Sequence, residues 1–243
     1  DRAMEIVRSR VDRYGVTEPS ILQQGNSRLV VELPGVDDEE RVRNLLRGTA
    51  RLEFRLTPNA EDMNSAKREI VNYFSNQASQ EADSLASDDS LATPQNNTNP
   101  LLEVFNPQGR SEYVFGYTSG PDTARVNDLL AREEVQSMLP RNAELMWGAQ
   151  PFATQEGLEL FELIPVRTQV EMTGDVISEA SVEFDPNTNE AQVSMTMDSE
   201  GARRWARITG ANVGRPVAIV LDGYVYSYPN VITKINNGRS SIT

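Results

Sequence analysis

VAIVLDGYVYSYPNVITKINNGRSSIT, running from Val217 to Thr243, is the stretch that decides the fold. Two apolar runs flank Asp222-Gly223, a pair suited to the two-residue type I′ turn, whose central residues both need positive φ. The stretch therefore predicts a β-hairpin. With that turn in place Leu221 faces Tyr224, Ile219 faces Tyr226 and Val217 faces Tyr228, and alternation along a strand puts all six on one side. Ala218, Val220, Val225 and Ser227 fall on the other. Burying the six large side chains contributes about 10 kcal/mol gross, so this face needs a cover, either the chain's own helix or a guest polypeptide. Pro229 has no N–H and limits ladder pairing at its end of the hairpin. Asn236-Asn237-Gly238 supplies a second turn, and Arg239 to Thr243 begins one more strand.

Outward from the hairpin, 243 residues suffice for one large domain or two smaller ones. The net charge of -13 argues against a nucleic-acid partner. With neither Cys nor His in the chain, disulfides, thiolate catalysis, Cys/His zinc sites and any His-based triad are excluded. The sequence holds no run of ~20 apolar residues able to cross a bilayer. Asp1 stands where a start Met would, which predicts a piece of something longer. Acids and bases are ten and ten over residues 1–57, seventeen and six over 58–165, and nine and seven over 166–243. The middle thus carries -11 of the -13, and the expected plan is a core built from the two chain ends around an acidic insertion.

Ala3, Val7, Val11 and Tyr14 recur at helical spacing, with Arg2, Arg8, Arg10 and Arg13 off that stripe, which predicts an amphipathic helix over residues 1–14. Its arginines form a solvated face, or face anionic lipid if an anchor lies upstream. Ile21 to Gln24 and Arg28 to Leu33 flank Gly25-Asn26 as a hairpin, stopped by Pro34-Gly35. Asp37 caps a helix that carries Val42, Leu45 and Leu46 and ends at Gly48, and Leu52, Phe54 and Leu56 alternate with charges as a half-buried strand. Met63, Ala66, Ile70, Tyr73 and Phe74 mark a further helix. The polar stretch Ser75 to Pro107 is expected as a loop. Tyr113 to Tyr117 predicts a short strand, Asp122 a cap for a helix carrying Val126, Leu129 and Leu130, and a phase change near Glu133 a second short helix. Leu145 to Trp147 and Leu158 to Val166 predict a strand pair. Thr173 to Ala180 is expected as a short helix, Ser181 to Asp185 and Ala191 to Met197 as strands, and Asp198 as the cap of a helix with Ala202, Trp205 and Ile208 on one face.

The fold class that follows is α+β: two ferredoxin-like sheet-and-helix subdomains, over residues 1–57 and 166–243, with an acidic, partly disordered insertion at 58–165 that includes a flexible linker about 75–107. Acid pairs such as Asp88-Asp89 and Glu133-Glu134 would suit a hydrolase only inside a cleft, and acids at helix starts are mostly caps. The sequence shows no Gly-rich phosphate loop and no calcium loop, so neither cofactor nor metal is expected. The stripe Tyr224, Tyr226 and Tyr228, with Trp205, is the better candidate site. It serves either as a platform for extended polypeptide or as core against Trp205 and Ile208.

Four stretches in this order resemble one family: Arg10-Val11-Asp12 through Gly15-Val16 to Glu18-Pro19; Leu33-Pro34-Gly35; Thr49-Ala50 through Leu52-Glu53-Phe54-Arg55; and Ile219 to Gly223 through Ser227, Pro229, Gly238 and Ile242-Thr243. Together they are similar to the first large periplasmic domain of the SecD family, or of the SecD half of fused SecDF, over about half the chain. The resemblance implies a non-enzymatic, RND-like accessory of the Sec translocase, at the periplasmic side of the bacterial inner membrane. It further implies a base near the membrane, a mobile head, and a proton-driven cycle whose proton carriers lie outside this chain. Implied partners are unfolded preprotein, the SecYEG translocon, SecF or the SecF half of the same chain, and the membrane through segments outside this one. The crossings near Leu56 and Val166 are the expected hinges. The rival expectation is a periplasmic domain of an RND-type small-molecule exporter, which predicts a closed apolar pocket instead of an open groove.

Overall fold

The computed structural model describes residues 20–24, 28–32, 51–85, 98–184 and 191–242. The chain divides into two compact units, Asp1–Arg51 and Leu52–Thr243. In the first, β1 (Ser20–Gln24) and β2 (Arg28–Glu32) pair antiparallel with Leu22 opposite Val30. This is the hairpin expected around Gly25-Asn26. Its turn, the Pro34-Gly35 stop and the helices expected over residues 1–14 and from Asp37 to Gly48 lie outside the described residues.

The second unit begins with β3 (Leu52–Leu56), whose Phe54 is fully buried as the alternation predicts. Asn59 then caps α1 (Ala60–Leu85): its Oδ1 accepts from the Glu61 N–H at 2.8 Å. Met63, Ala66, Ile70 and Phe74 are the buried stripe of that helix. Polar composition predicts a loop from Ser75, but the helix continues to Leu85. The end of that predicted loop is also built in. Asn99 Nδ2 donates to the Val71 carbonyl and to Ser75 Oγ, each at 2.9 Å, while its Oδ1 accepts from the Leu101 N–H. Leu101, Val104 and Phe105 then enter the core. One buried amide thus fastens the returning chain to α1.

β4 (Gly116–Ser119) lies slightly later than the strand expected at Tyr113 to Tyr117. Asp122 holds the N-cap position of the following helix as expected, but its side chain makes no capping bond, and its carboxylate accepts instead from Ser119 Oγ at 2.6 Å. α2 (Thr123–Leu130) and α3 (Glu133–Met138) are the two short helices that the phase change predicts. β5 (Ala143–Trp147), β6 (Ala153–Gln155) and β7 (Leu158–Arg167) complete a central sheet of order β4-β7-β5, with β6 also pairing to β7. One face of this sheet and helices α1 to α3 enclose the first core.

β8 (Val170–Thr173) is followed by a 3-10 turn at Gly174–Val176, then β9 (Ile177–Phe184) and β10 (Ala191–Met197). The helix expected over Thr173 to Ala180 is therefore wrong. Glu179–Phe184 alternates polar with apolar residues, and the ladder of β9 to β10, with Ala180 opposite Met195, wins over local helix propensity. The turn expected at Pro186 to Asn189 lies outside the described residues. Asp198 caps α4 (Ser199–Ala211) as expected, its Oδ1 accepting from the N–H groups of Glu200 and Gly201 at 2.9 and 2.7 Å. Then come β11 (Val217–Leu221), β12 (Tyr224–Ser227) and β13 (Arg239–Ile242). Two sheets result, β12-β11-β3-β8 and β13-β10-β9. Phe54, Trp205, Val217, Ile219, Met195 and Met197 form the second core, while Ala218, Val220 and Val225 meet Met146, Ile164 and Val166 in a third.

Candidate functional site

The hairpin turn is as the sequence predicts: Asp222 and Gly223 have φ of 52° and 83°, and Leu221 stands opposite Tyr224. Beyond Val220–Val225 the register slips. Ile219 pairs with Ser227, leaving Tyr226 as the extra residue of a bulge. A slip of one residue inverts every side chain that follows, so Tyr228 turns to the face of Ala218 and packs against the third core. The single six-residue face expected from the turn does not form. Both faces of β11 are covered, by the second core on one side and the third on the other.

The four candidate residues consequently part company. Tyr224 and Tyr226 are 52% and 54% exposed at the sheet margin. Trp205 is 5% exposed, its ring centroid 5.1 Å from that of Phe54 and its Nε1 donating to Ser240 Oγ at 2.8 Å. α4 thus covers β3 and β11 and leaves the tyrosine pair bare. Of the expected hinge positions, Leu56 sits opposite Val217 and Val166 opposite Glu144, both buried within strand ladders.

Tyr228 belongs to a polar node that sequence reasoning missed. Glu162, only 4% exposed, accepts from Arg110 Nε at 2.7 Å, from Arg110 Nη2 at 3.2 Å and from the Tyr228 hydroxyl at 2.7 Å. Arg110 stacks 4.5 Å over the Phe152 ring. Burial, helped by the Glu162 carboxylate that accepts its hydrogen bond, pushes the Tyr228 hydroxyl pKa up to about 12, and the same carboxylate pushes that of the Arg110 guanidinium up. A signal was available: an acid inside the apolar run of β7 must find donors once buried. The node lies where the central sheet meets the hairpin, and there the Ala149 N–H also donates to the Val225 carbonyl at 2.8 Å. This backbone bond closes the outer edge of β12 at Val225.

Two apolar features stand out among the described residues. A cleft of about 260 Å³ is lined by Met195, Trp205, Val217, Ile219, Val231 and Ile242. Beyond Ile242 the same sheet face continues over Val193 to Val182, cross-strand neighbours in one row, and both are exposed. Among the described residues, no group of acids could hold a metal ion, and no helix is long and apolar enough to cross a membrane.

A family model described as the N-terminal part of the P1 domain of protein translocase subunit SecDF matches residues 1–59, and one described as the SecDF P1 head subdomain matches residues 152–243. The protein translocase subunit SecD of Rhodothermus marinus is 54% identical over 257 aligned residues, covering 100% of this chain and 41% of that protein. SecD of Desulfurispirillum indicum is 33% identical, covering 100% of the chain and 34% of that protein. The chain therefore spans well under half the length of these relatives. A crystal structure of SecDF from Thermus thermophilus matches over 99% of this chain and 24% of its own length, at 26% identity and a TM-score of 0.38, a likeness too loose to transfer geometry.

Proposed function

Since the chain belongs to the P1 domain family of SecD and SecDF, whose P1 domain is a non-catalytic accessory domain, we propose that it holds unfolded preprotein during Sec translocation. In this reading it works at the periplasmic face of the inner membrane, beside the SecYEG translocon and with SecF or a fused SecF half. Motion driven by proton flow through membrane helices outside this chain reaches it through its base. The observation that supports a holding surface is the bare pair Tyr224 and Tyr226, since two half-exposed tyrosines offer large, sequence-tolerant contact area to a passing extended chain. The crossings near Leu56 and Val166 are the hinge points of the proposal.

The test is a titration of a fluorescent, permanently unfolded secretory polypeptide with the 243-residue chain and with the full-length protein. Saturable binding that Tyr224→Ala with Tyr226→Ala weakens is expected. If the full-length protein binds and the chain does not, even at high concentration, the holding role belongs elsewhere.

The cleft beside Trp205 favours a second reading, a small-molecule site in an RND-type exporter domain. Its volume of about 260 Å³ falls just below the ~300 to 1,000 Å³ usual for ligand sites. Its small volume and the family of the relatives weigh against that reading, so the first is preferred.

A further inference from the structure

The ribbon β13-β10-β9 ends on β9, and among the described residues no strand pairs with its outer edge. Natural sheet edges are commonly blunted by Lys, Pro or a bulge. From Ala180 to Phe184 β9 carries neither Lys nor Pro, and its register with β10 runs unbroken. Its two faces differ sharply. Val182 and Phe184 are 69% and 63% exposed, and Val182 continues an apolar row through Val193 to Ile242, which packs on the second core. The opposite face presents Glu179, Ser181 and Glu183, paired across to Thr196, Ser194 and Gln192. Neither acid faces a cation on β10.

Charge on the polar face favours a cationic partner for this edge. A second copy of β9, paired antiparallel about Ser181, would set Glu179 against Glu183 twice, and like charges directly opposite destabilise a strand pair. A strand with Lys or Arg at those positions gains at each of them, and its alternate apolar side chains meet Val182 and Phe184. We infer that the outer edge of β9 accepts an extended polypeptide segment alternating apolar with Lys or Arg residues, added as a fourth strand to the ribbon. The inference rests on the polypeptide-holding reading and gives it a second contact, with backbone hydrogen bonds for grip and a charge preference for selection.

The test uses the full 243-residue chain and three fluorescent nine-residue peptides: alternating Val and Lys, alternating Val and Glu, and the Val/Lys peptide N-methylated at every second residue. Anisotropy titrations are run beside the unfolded-polypeptide titration. The Val/Lys peptide is expected to bind about tenfold tighter than Val/Glu, from two pairs that change from attraction to repulsion. N-methylation on the hydrogen-bonding side is expected to abolish binding. Glu179→Gln with Glu183→Gln should remove most of the Lys preference, and Val182→Thr with Phe184→Ser should weaken both peptides. These four sites are exposed, so circular dichroism should stay unchanged; the peptide comparison needs no variant at all.

Equal binding of Val/Lys and Val/Glu peptides, or indifference to N-methylation, overturns the inference. If the unfolded polypeptide binds but ignores the β9 changes, the edge proposal fails and the holding reading stands. If the peptides add at β9 while the unfolded polypeptide does not bind, the edge proposal stands and the holding reading fails. Concentration-dependent dimerisation that Val182→Thr with Phe184→Ser removes would assign the edge to a second copy and overturn the proposal.

Discussion

β11 and β9 lie in the same unit and meet opposite fates. Val217–Leu221 is apolar throughout and is covered on both faces, by Phe54 and Trp205 on one side and by Met146, Ile164 and Val166 on the other. In β9 the alternation runs from Glu179 to Phe184, and almost the whole strand is exposed. A continuous apolar run can only be satisfied between two layers, whereas an alternating one tolerates water on its polar face. The contrast separates the part of the molecule that holds shape from the part free to meet a partner. Contacts for polypeptide are therefore expected at margins and edges, at Tyr224 and Tyr226 and along β9, and not at Trp205.

The contrast predicts a graded set of responses. Phe54→Ala, beneath Trp205, should cost about 3 to 5 kcal/mol of stability in urea unfolding; a loss below about 1 kcal/mol would mean that the β3–β11 core is not the mainstay. Glu162→Gln removes the charge from a buried, three-donor site and should cost about 1.5 kcal/mol, while an unchanged midpoint would reduce the node to decoration. Tyr228 adds a pH signature. Its pKa is raised in the folded state to about 12 from an ordinary 10.0, so the folded protein keeps a proton that the unfolded chain loses. The stability due to this group is complete below pH 10 and is lost as pH rises towards 12. Tyr228→Phe should flatten that alkaline decline without altering stability's pH dependence near neutrality. Smallest of all, Tyr224→Ala and Val182→Thr should each shift stability by no more than about 0.5 kcal/mol, and a larger loss from either would place it in the core after all.

Much of this architecture was legible from residue pattern. Asp222-Gly223 gave the hairpin turn, Asp198 the cap of α4, and the phase change at Glu133 the break between α2 and α3. The errors have physical sources. The bulge at Tyr226 is invisible in a turn that fixes register only near itself, yet it decides which core Tyr228 enters. Helix α1 runs on past Ser75 to Leu85, and Asn99 fastens the returning chain to it at Val71 and Ser75, a pairing that no local window contains. The second half of β9 reads as a strand from Ser181, but its first half, Ile177 to Ala180, is lost to the expectation of a helix at Thr173 to Ala180. The Arg110, Glu162 and Tyr228 node joins residues 52 and 66 positions apart, and only the acid inside an apolar strand betrayed it. The tyrosine pair was named from the sequence, but its exposure depended on where α4 happens to end its cover.

The most direct measurement is site-specific photocrosslinking in cells secreting a stalled preprotein, with a photoreactive residue placed in the full-length protein at Tyr224, Tyr226 or, as an exposed control, Val213. The account predicts preprotein adducts from Tyr224 and Tyr226 and at most a faint one from Val213. Adducts of equal strength from all three positions, or none from the tyrosine pair while the preprotein is held, would contradict it.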